Sequence, residues 1–173
     1  MSNWIKLKNW LLFRSVISKQ RIEQATLNQQ TIGIYIKGPD YNSSYFRAFL
    51  KELKGLDKIV KILVRYEEDP VEAETIHYKY FTQKEINWYG KPISESVNSF
   101  VAEPFNLLLS LDFEPDPTDE FIIQNSLALL RAGSPKYDRE VLDLVVSSSE
   151  NCDISTFIPD LRKVLNTYFK AEV

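Results

Sequence analysis

The sequence predicts an α/β fold: a three-layer sandwich with a mostly parallel sheet of about five strands, preceded by a basic apolar N-terminal helix. Three observations predict it. Short β-branched or leucine-rich runs alternate with segments of helical periodicity. A strand, a helix and a second strand follow one another within residues 31–64, the spacing of a parallel βαβ unit. The chain of 173 residues, 44% hydrophobic and 26% charged, is also large enough for one packed core. The reading divides the chain into a basic apolar helix, residues 1–22, and a single α/β domain, residues 23–173.

The elements follow in order. Thr31-Ile32-Gly33-Ile34-Tyr35-Ile36-Lys37 is β-branched and bounded by Gly38-Pro39-Asp40, so it reads as a strand ending in a turn. Tyr45, Phe46, Phe49, Leu50 and Leu53 recur at helical spacing, with Asn42 or Ser43 as the N-cap and Gly55 as the stop. Ile59 to Val64 is the second strand, and residues 77–81 a short third one. Thr82 and Glu85 have capping-box spacing and open a brief helix. Residues 95–103 read as a helix stopped by Pro104. Phe105 to Leu111 is the most apolar strand and so belongs at the centre of the sheet. Asp116-Pro117 supplies an N-cap and a first-turn proline for a helix expected to run to about Leu130. Val141 to Val146 is a last strand, and Asp153 caps a final helix with Ile154, Phe157, Ile158, Leu161, Val164, Leu165, Tyr168 and Phe169 on one face. This pattern leaves the strand order open.

Phe81-Thr82-Gln83-Lys84-Glu85-Ile86-Asn87-Trp88-Tyr89-Gly90-Lys91-Pro92, followed by Phe105-Asn106-Leu107-Leu108-Leu109, resembles an uncharacterised family of small bacterial proteins of unknown function. The resemblance spans residues 30–170. It implies a bacterial cytoplasmic protein and assigns no catalytic or binding residue.

Charge is unevenly placed. Lys6, Lys8, Arg14, Lys19 and Arg21 put +5 on residues 1–22 with no acid, in a chain whose net charge is −3, which leaves −8 for the rest. An acidic body argues against general nucleic-acid binding, which needs basic clusters. The lone cysteine, Cys152, fits a reducing, cytoplasmic compartment. No apolar run approaches the length of a membrane span.

Catalytic groups are few. His77, the only histidine, reads as a structural residue of a strand, and Cys152 as a structural thiol. One histidine and one cysteine cannot make a four-ligand zinc cage without unusual carboxylates. Asp112, Glu114 and Asp116 alternate like calcium ligands, but Pro117 and Ile123 stand where an EF-hand needs glycine and glutamate. No metal site is therefore assigned, and the scattered glycines form neither a P-loop nor a dinucleotide fingerprint, so no cofactor is implied.

Two readings of function remain. In the first, the chain is a non-enzymatic interaction module that docks through its N-terminal helix on a protein partner, a second copy or the inner membrane surface. Trp4, Leu7, Trp10, Leu11, Phe13 and Ile17 lie on several sides of that helix, and Lys6, Lys8 and Arg14 suit an anionic lipid surface. In the second, Asp40, Tyr41, Asn42 and Asp112, placed at strand ends, hold a small ligand in a binding or transferase-like protein, with magnesium and a phosphorylated ligand as one form.

Overall fold

The computed structural model describes residues 31–56, 58–70, 78–138, 140–146 and 151–170, with side chains to residue 167 in the last stretch. The expected N-terminal helix, with Trp4, Lys6, Leu7, Lys8, Trp10, Leu11, Phe13, Arg14 and Ile17, lies outside the described residues, as does His77.

In chain order the elements are β1 (Thr31–Lys37), a single turn α1 (Gly38–Tyr41), α2 (Ser44–Gly55), β2 (Ile59–Tyr66), β3 (Lys79–Thr82), a 3₁₀ turn (Gln83–Glu85), α3 (Glu95–Val101), β4 (Leu107–Leu111), α4 (Pro117–Asn125), β5 (Leu130–Gly133), β6 (Leu144–Val145) and α5 (Ile154–Lys170). One six-stranded sheet has the order β3-β2-β1-β4-β5-β6, and every pair in it is parallel. β1 and β4, the most apolar strands, are the central pair, which fits their burial from both faces.

Both faces of the sheet are covered. Ile32, Ile34, Ile36, Leu107, Leu109 and Leu111 pack with Phe46, Phe49 and Leu53 of α2 and with Phe157, Ile158 and Leu161 of α5. Tyr35, Leu63 and Leu108 pack on the opposite side with Val97 and Phe100 of α3 and Ile122 and Ile123 of α4. The expected caps form: Ser43 Oγ accepts the Phe46 N–H at 3.1 Å, and Asp153 Oδ1 accepts the Thr156 N–H at 3.0 Å. Thr82 and Glu85 close a capping box, but only a 3₁₀ turn follows.

One element corrects the sequence reading. The helix expected to reach Leu130 ends at Asn125, and Leu130–Gly133 is a strand instead. Tertiary hydrogen bonds decide this: the Leu127 N–H donates to the Val101 carbonyl and the Leu129 N–H to the Phe105 carbonyl, both at 2.9 Å. These hold the chain extended and set Leu130 beside Leu107. The sheet therefore has six strands rather than about five. The last strand narrows from the expected 141–146 to Leu144–Val145 because Val141 and Leu142 turn into the core formed with α4.

Candidate functional site at the strand ends

Side-chain alternation decides what meets at the carboxyl ends of the strands. In β1, Ile32, Ile34 and Ile36 face one layer, so Tyr35 and Lys37 face the other. The same alternation gives that second face Leu63 and Arg65 from β2, and Leu108 and Ser110 from β4, with Asp112 next in step. Register puts Tyr35 beside Leu63 and Ser110, and Lys37 beside Arg65.

The first turn of α4 closes over these groups. Asp116 Oδ1 caps the helix by accepting the N–H groups of Thr118 at 2.7 Å and Asp119 at 3.1 Å, while Asp119 Oδ2 accepts the Asp116 N–H at 2.8 Å. That reciprocal box presses Asp119, fully buried, onto the sheet. Its Oδ1 accepts the Tyr35 hydroxyl and the Arg65 guanidinium, and the Lys37 ammonium lies 3.3 Å from its Oδ2. Arg65 also donates to Asp116 Oδ2 at 2.9 Å and to Gln83 Oε1 at 3.2 Å. Such charges tolerate burial because each is paired and hydrogen-bonded.

Asp112 is the exception. Its carboxylate is 1% exposed. Oδ1 accepts the Glu114 N–H at 3.0 Å and lies 3.0 Å from the Lys37 ammonium. Oδ2 is buried and has no hydrogen-bond partner among the described residues. Burial, and then the negative charge of Asp119, push this carboxyl up to about 7, against the pull of Lys37 and the Glu114 N–H. Burial alone would lower the pKa of Lys37, but Asp119 and Asp112 outweigh it and hold the ammonium above its ordinary value. Burial acts on Asp116 too, yet its hydrogen bond to Arg65 and that cation's charge keep it well below the usual carboxylate range. A carboxyl that gains and loses its proton near neutrality, beside a fixed ammonium, is suited to general acid–base chemistry.

Lys37 and Asp112 form one wall of a cavity of about 410 Å³ that also includes Asp40, Glu114, Lys136, Cys152 and Asp153. The cavity lies where the strand order reverses, between β1 and β4, the usual ligand position in doubly wound sheets. Burial pushes the Cys152 thiol up, the opposite of what a nucleophilic thiolate needs. Among the described residues, no group of three or more His, Cys, Asp or Glu side chains is placed to hold a metal ion. Asp116 is committed to its cap and to Arg65, which leaves the alternating acids Asp112, Glu114 and Asp116 without a common centre.

A family model described as a family of unknown function (DUF6913) matches residues 6–167. The chain belongs to this family. No curated protein and no solved structure matches the chain. The matched span contains every residue of the strand-end site, and the membership agrees with the resemblance seen in residues 81–92 and 105–109.

Of the four residues expected at a strand-end pocket, Asp40 and Asp112 line the same cavity. Tyr41 packs against Phe46 and Tyr78, with ring centroids 5.4 and 4.4 Å away, and lines a separate cavity with Lys54 and Lys79. The Asn42 amide donates to the Gly38 carbonyl at 3.3 Å. Sequence reasoning missed Lys37, Arg65 and Asp119. A signal for the first two was present, since each is a charged residue at the end of an otherwise apolar strand, in step with Tyr35 or Leu63. Asp119 carries no such signal, since an acid in the first turn of a helix is ordinarily explained by the helix dipole, and only packing reveals its burial.

Proposed function

We propose that this protein binds a small molecule in the cavity at the carboxyl ends of β1 and β4, in a bacterial cytoplasmic setting. One observation carries the reading: Asp112, 1% exposed, helps to line that cavity and leaves Oδ2 without a partner among the described residues. A buried acceptor left unpaired costs on the order of 1–3 kcal/mol, more for a charged group, so a fold that keeps one usually has a use for it. The cavity's volume falls within the range of small-molecule sites, and the strand-order reversal supports the same location. The Asp112 carboxyl beside Lys37 would let a transferase-like reaction move a proton at the bound ligand. The lone cysteine supports the reducing compartment.

The test is a thermal-shift screen of nucleotides, sugars, amines and divalent ions on the full chain and on Asp112→Asn. A compound that raises Tm in the parent and not in the variant supports the reading, because a ligand stabilises the state that binds it. A screen with no Asp112-dependent hit removes it.

The charge distribution favours a second reading, in which residues 1–22 dock on a protein partner, a second copy or an anionic membrane surface. Its support is the +5 arm beside a body of −8, together with a family match that begins at residue 6 and so takes in most of the arm. No helix among the described residues is long and apolar enough to cross a membrane, so any membrane contact through them would be peripheral. Oligomeric state and binding to anionic liposomes, measured for the full chain and for Trp10→Ser, test this. Salt-sensitive liposome binding that Trp10→Ser loses would favour lipid. Salt-insensitive association that it loses would favour protein. A monomer indifferent to liposomes ends the reading.

A further inference from the structure

We infer that the strand-end cavity takes a small organic ammonium compound, its N–H groups donated to Asp112 Oδ2 and to the carboxylates of Asp40 and Asp153. This rests on the reading of the cavity as a ligand site and names the class of ligand.

Three observations lead to a cation. First, four carboxylates, of Asp40, Asp112, Glu114 and Asp153, line the cavity against two ammonium groups, of Lys37 and Lys136. Lys37 is already committed: it donates to the Glu114 carbonyl at 2.7 Å and lies within 3.0 Å of Asp112 Oδ1 and 3.3 Å of Asp119 Oδ2. Second, the groups that usually receive phosphate are taken. The α5 N-terminus at the cavity is capped by Asp153 through the Thr156 N–H, and the neighbouring α4 N-terminus is capped by Asp116. An anion would meet carboxylates where it needs N–H donors. Third, the unpartnered atom is an acceptor on a carboxylate that lines the cavity. It accepts either a proton or a donor from a ligand, and an ammonium supplies the donor together with the compensating charge.

The two occupants of Oδ2 therefore compete. With the carboxyl titrating near 7, an ammonium ligand displaces the proton, and binding tightens as pH rises through that value. The facing charges are Lys37 on β1, Asp119 on α4, Asp40 on α1, and Glu114, Lys136 and Asp153 on the loops around the cavity.

The experiment is calorimetry and thermal shift on the full chain with 1,4-diaminobutane, glycerol, inorganic phosphate and magnesium chloride as probes, at pH 6 and pH 8. The diamine should raise Tm in a dose-dependent way and bind about tenfold more tightly at pH 8, the change expected for one group ionising near 7. Asp112→Asn should lose at least tenfold in affinity together with that pH dependence. Asp40→Asn, at a partly exposed position, should weaken binding severalfold, whereas Lys136→Ala should tighten it by removing a competing cation. These two variants decide the matter should Asp112→Asn fail to fold. Stabilisation by phosphate, glycerol or magnesium that depends on Asp112, with none by the diamine, overturns the ammonium class and leaves the ligand site standing. Diamine binding indifferent to Asp40→Asn and Lys136→Ala overturns the assignment to this cavity. No binding by any probe overturns the inference, and the broader screen then decides on the site itself.

Discussion

The two faces of the sheet are built from the same strands by opposite chemistry. Toward α2 and α5 the central strands present Ile32, Ile34, Ile36, Leu107, Leu109 and Leu111, a core of aliphatic and aromatic contacts. Toward α3 and α4 the same strands present Leu108 over an apolar core, but also Tyr35, Ser110 and, at their ends, Lys37 and Asp112, with Arg65 of β2 beside them. The aliphatic face depends on shape and tolerates swaps that conserve volume. The polar face depends on partners, because each buried group needs a donor or acceptor at the right place. Asp119 satisfies three of them at once, and Asp112 is left half satisfied. The difference puts the candidate site on the face where Asp112 Oδ2 has no hydrogen-bond partner among the described residues.

The largest expected effect breaks the polar face at its centre. Asp119→Ala leaves Tyr35 without its acceptor and the Arg65 and Lys37 cations without their shared carboxylate. The loss should be about 3–5 kcal/mol, the usual cost of removing one partner from a buried ion pair. Leu109→Ala, on the dry face, should cost about 2–5 kcal/mol through its cavity. Urea unfolding compares the two, and an Asp119→Ala chain as stable as the parent would remove the contrast.

Gly38→Ala comes next. It begins the turn after β1, and an added Cβ would run into the Tyr66 ring, whose hydroxyl is hydrogen-bonded to that of Tyr78. Displacing that ring should cost about 1–3 kcal/mol, the scale of overpacking. A neutral result in the same unfolding assay would mean that the ring moves freely.

The pH dependence sharpens the contrast further. The Asp112 carboxyl is raised to about 7 in the folded chain, above the ordinary Asp value of 3.8, so the native state holds its proton more tightly than the unfolded state does. Its stabilising contribution is complete below about pH 4 and is lost as pH rises towards about 7. Asp112→Asn lacks this titration. The parent should therefore lose stability relative to the variant across that window, read as the difference in urea midpoints. A difference that is flat with pH would place the carboxyl in its ordinary range.

The smallest test compares neighbours pointing to opposite faces. Tyr35→Phe removes one hydroxyl while Asp119 keeps Arg65 and Lys37, and should cost about 0.5–1.5 kcal/mol. Ile34→Val should cost about as much through a lost methylene. A Tyr35→Phe loss several times larger would show that the hydroxyl holds the whole polar cluster in place.

Local chemistry made most of the fold legible. The β-branched run 31–37, the Ser43, Asp116 and Asp153 caps and the spacing of the βαβ unit are each set by neighbours a few residues away, and each appears in the structure. β5 was not legible, because Leu127 to Leu130 continue an apolar pattern that serves a helix or a strand, and bonds to Val101 and Phe105 choose between them. The candidate site was half legible. Asp40 and Asp112 announced themselves as acids after apolar strands. The sequence by itself determined that β4 is central and that odd and even residues of the strands part to opposite faces, since pleating and hydrophobicity are local properties. Only the tertiary structure decided that β1 lies between β2 and β4. That order brings Lys37 and Arg65 under the first turn of α4 and leaves Asp112 with one oxygen unmatched among the described residues. Contacts between residues 51 to 84 positions apart depend on how strands are ordered, and strand order comes from packing the whole sheet.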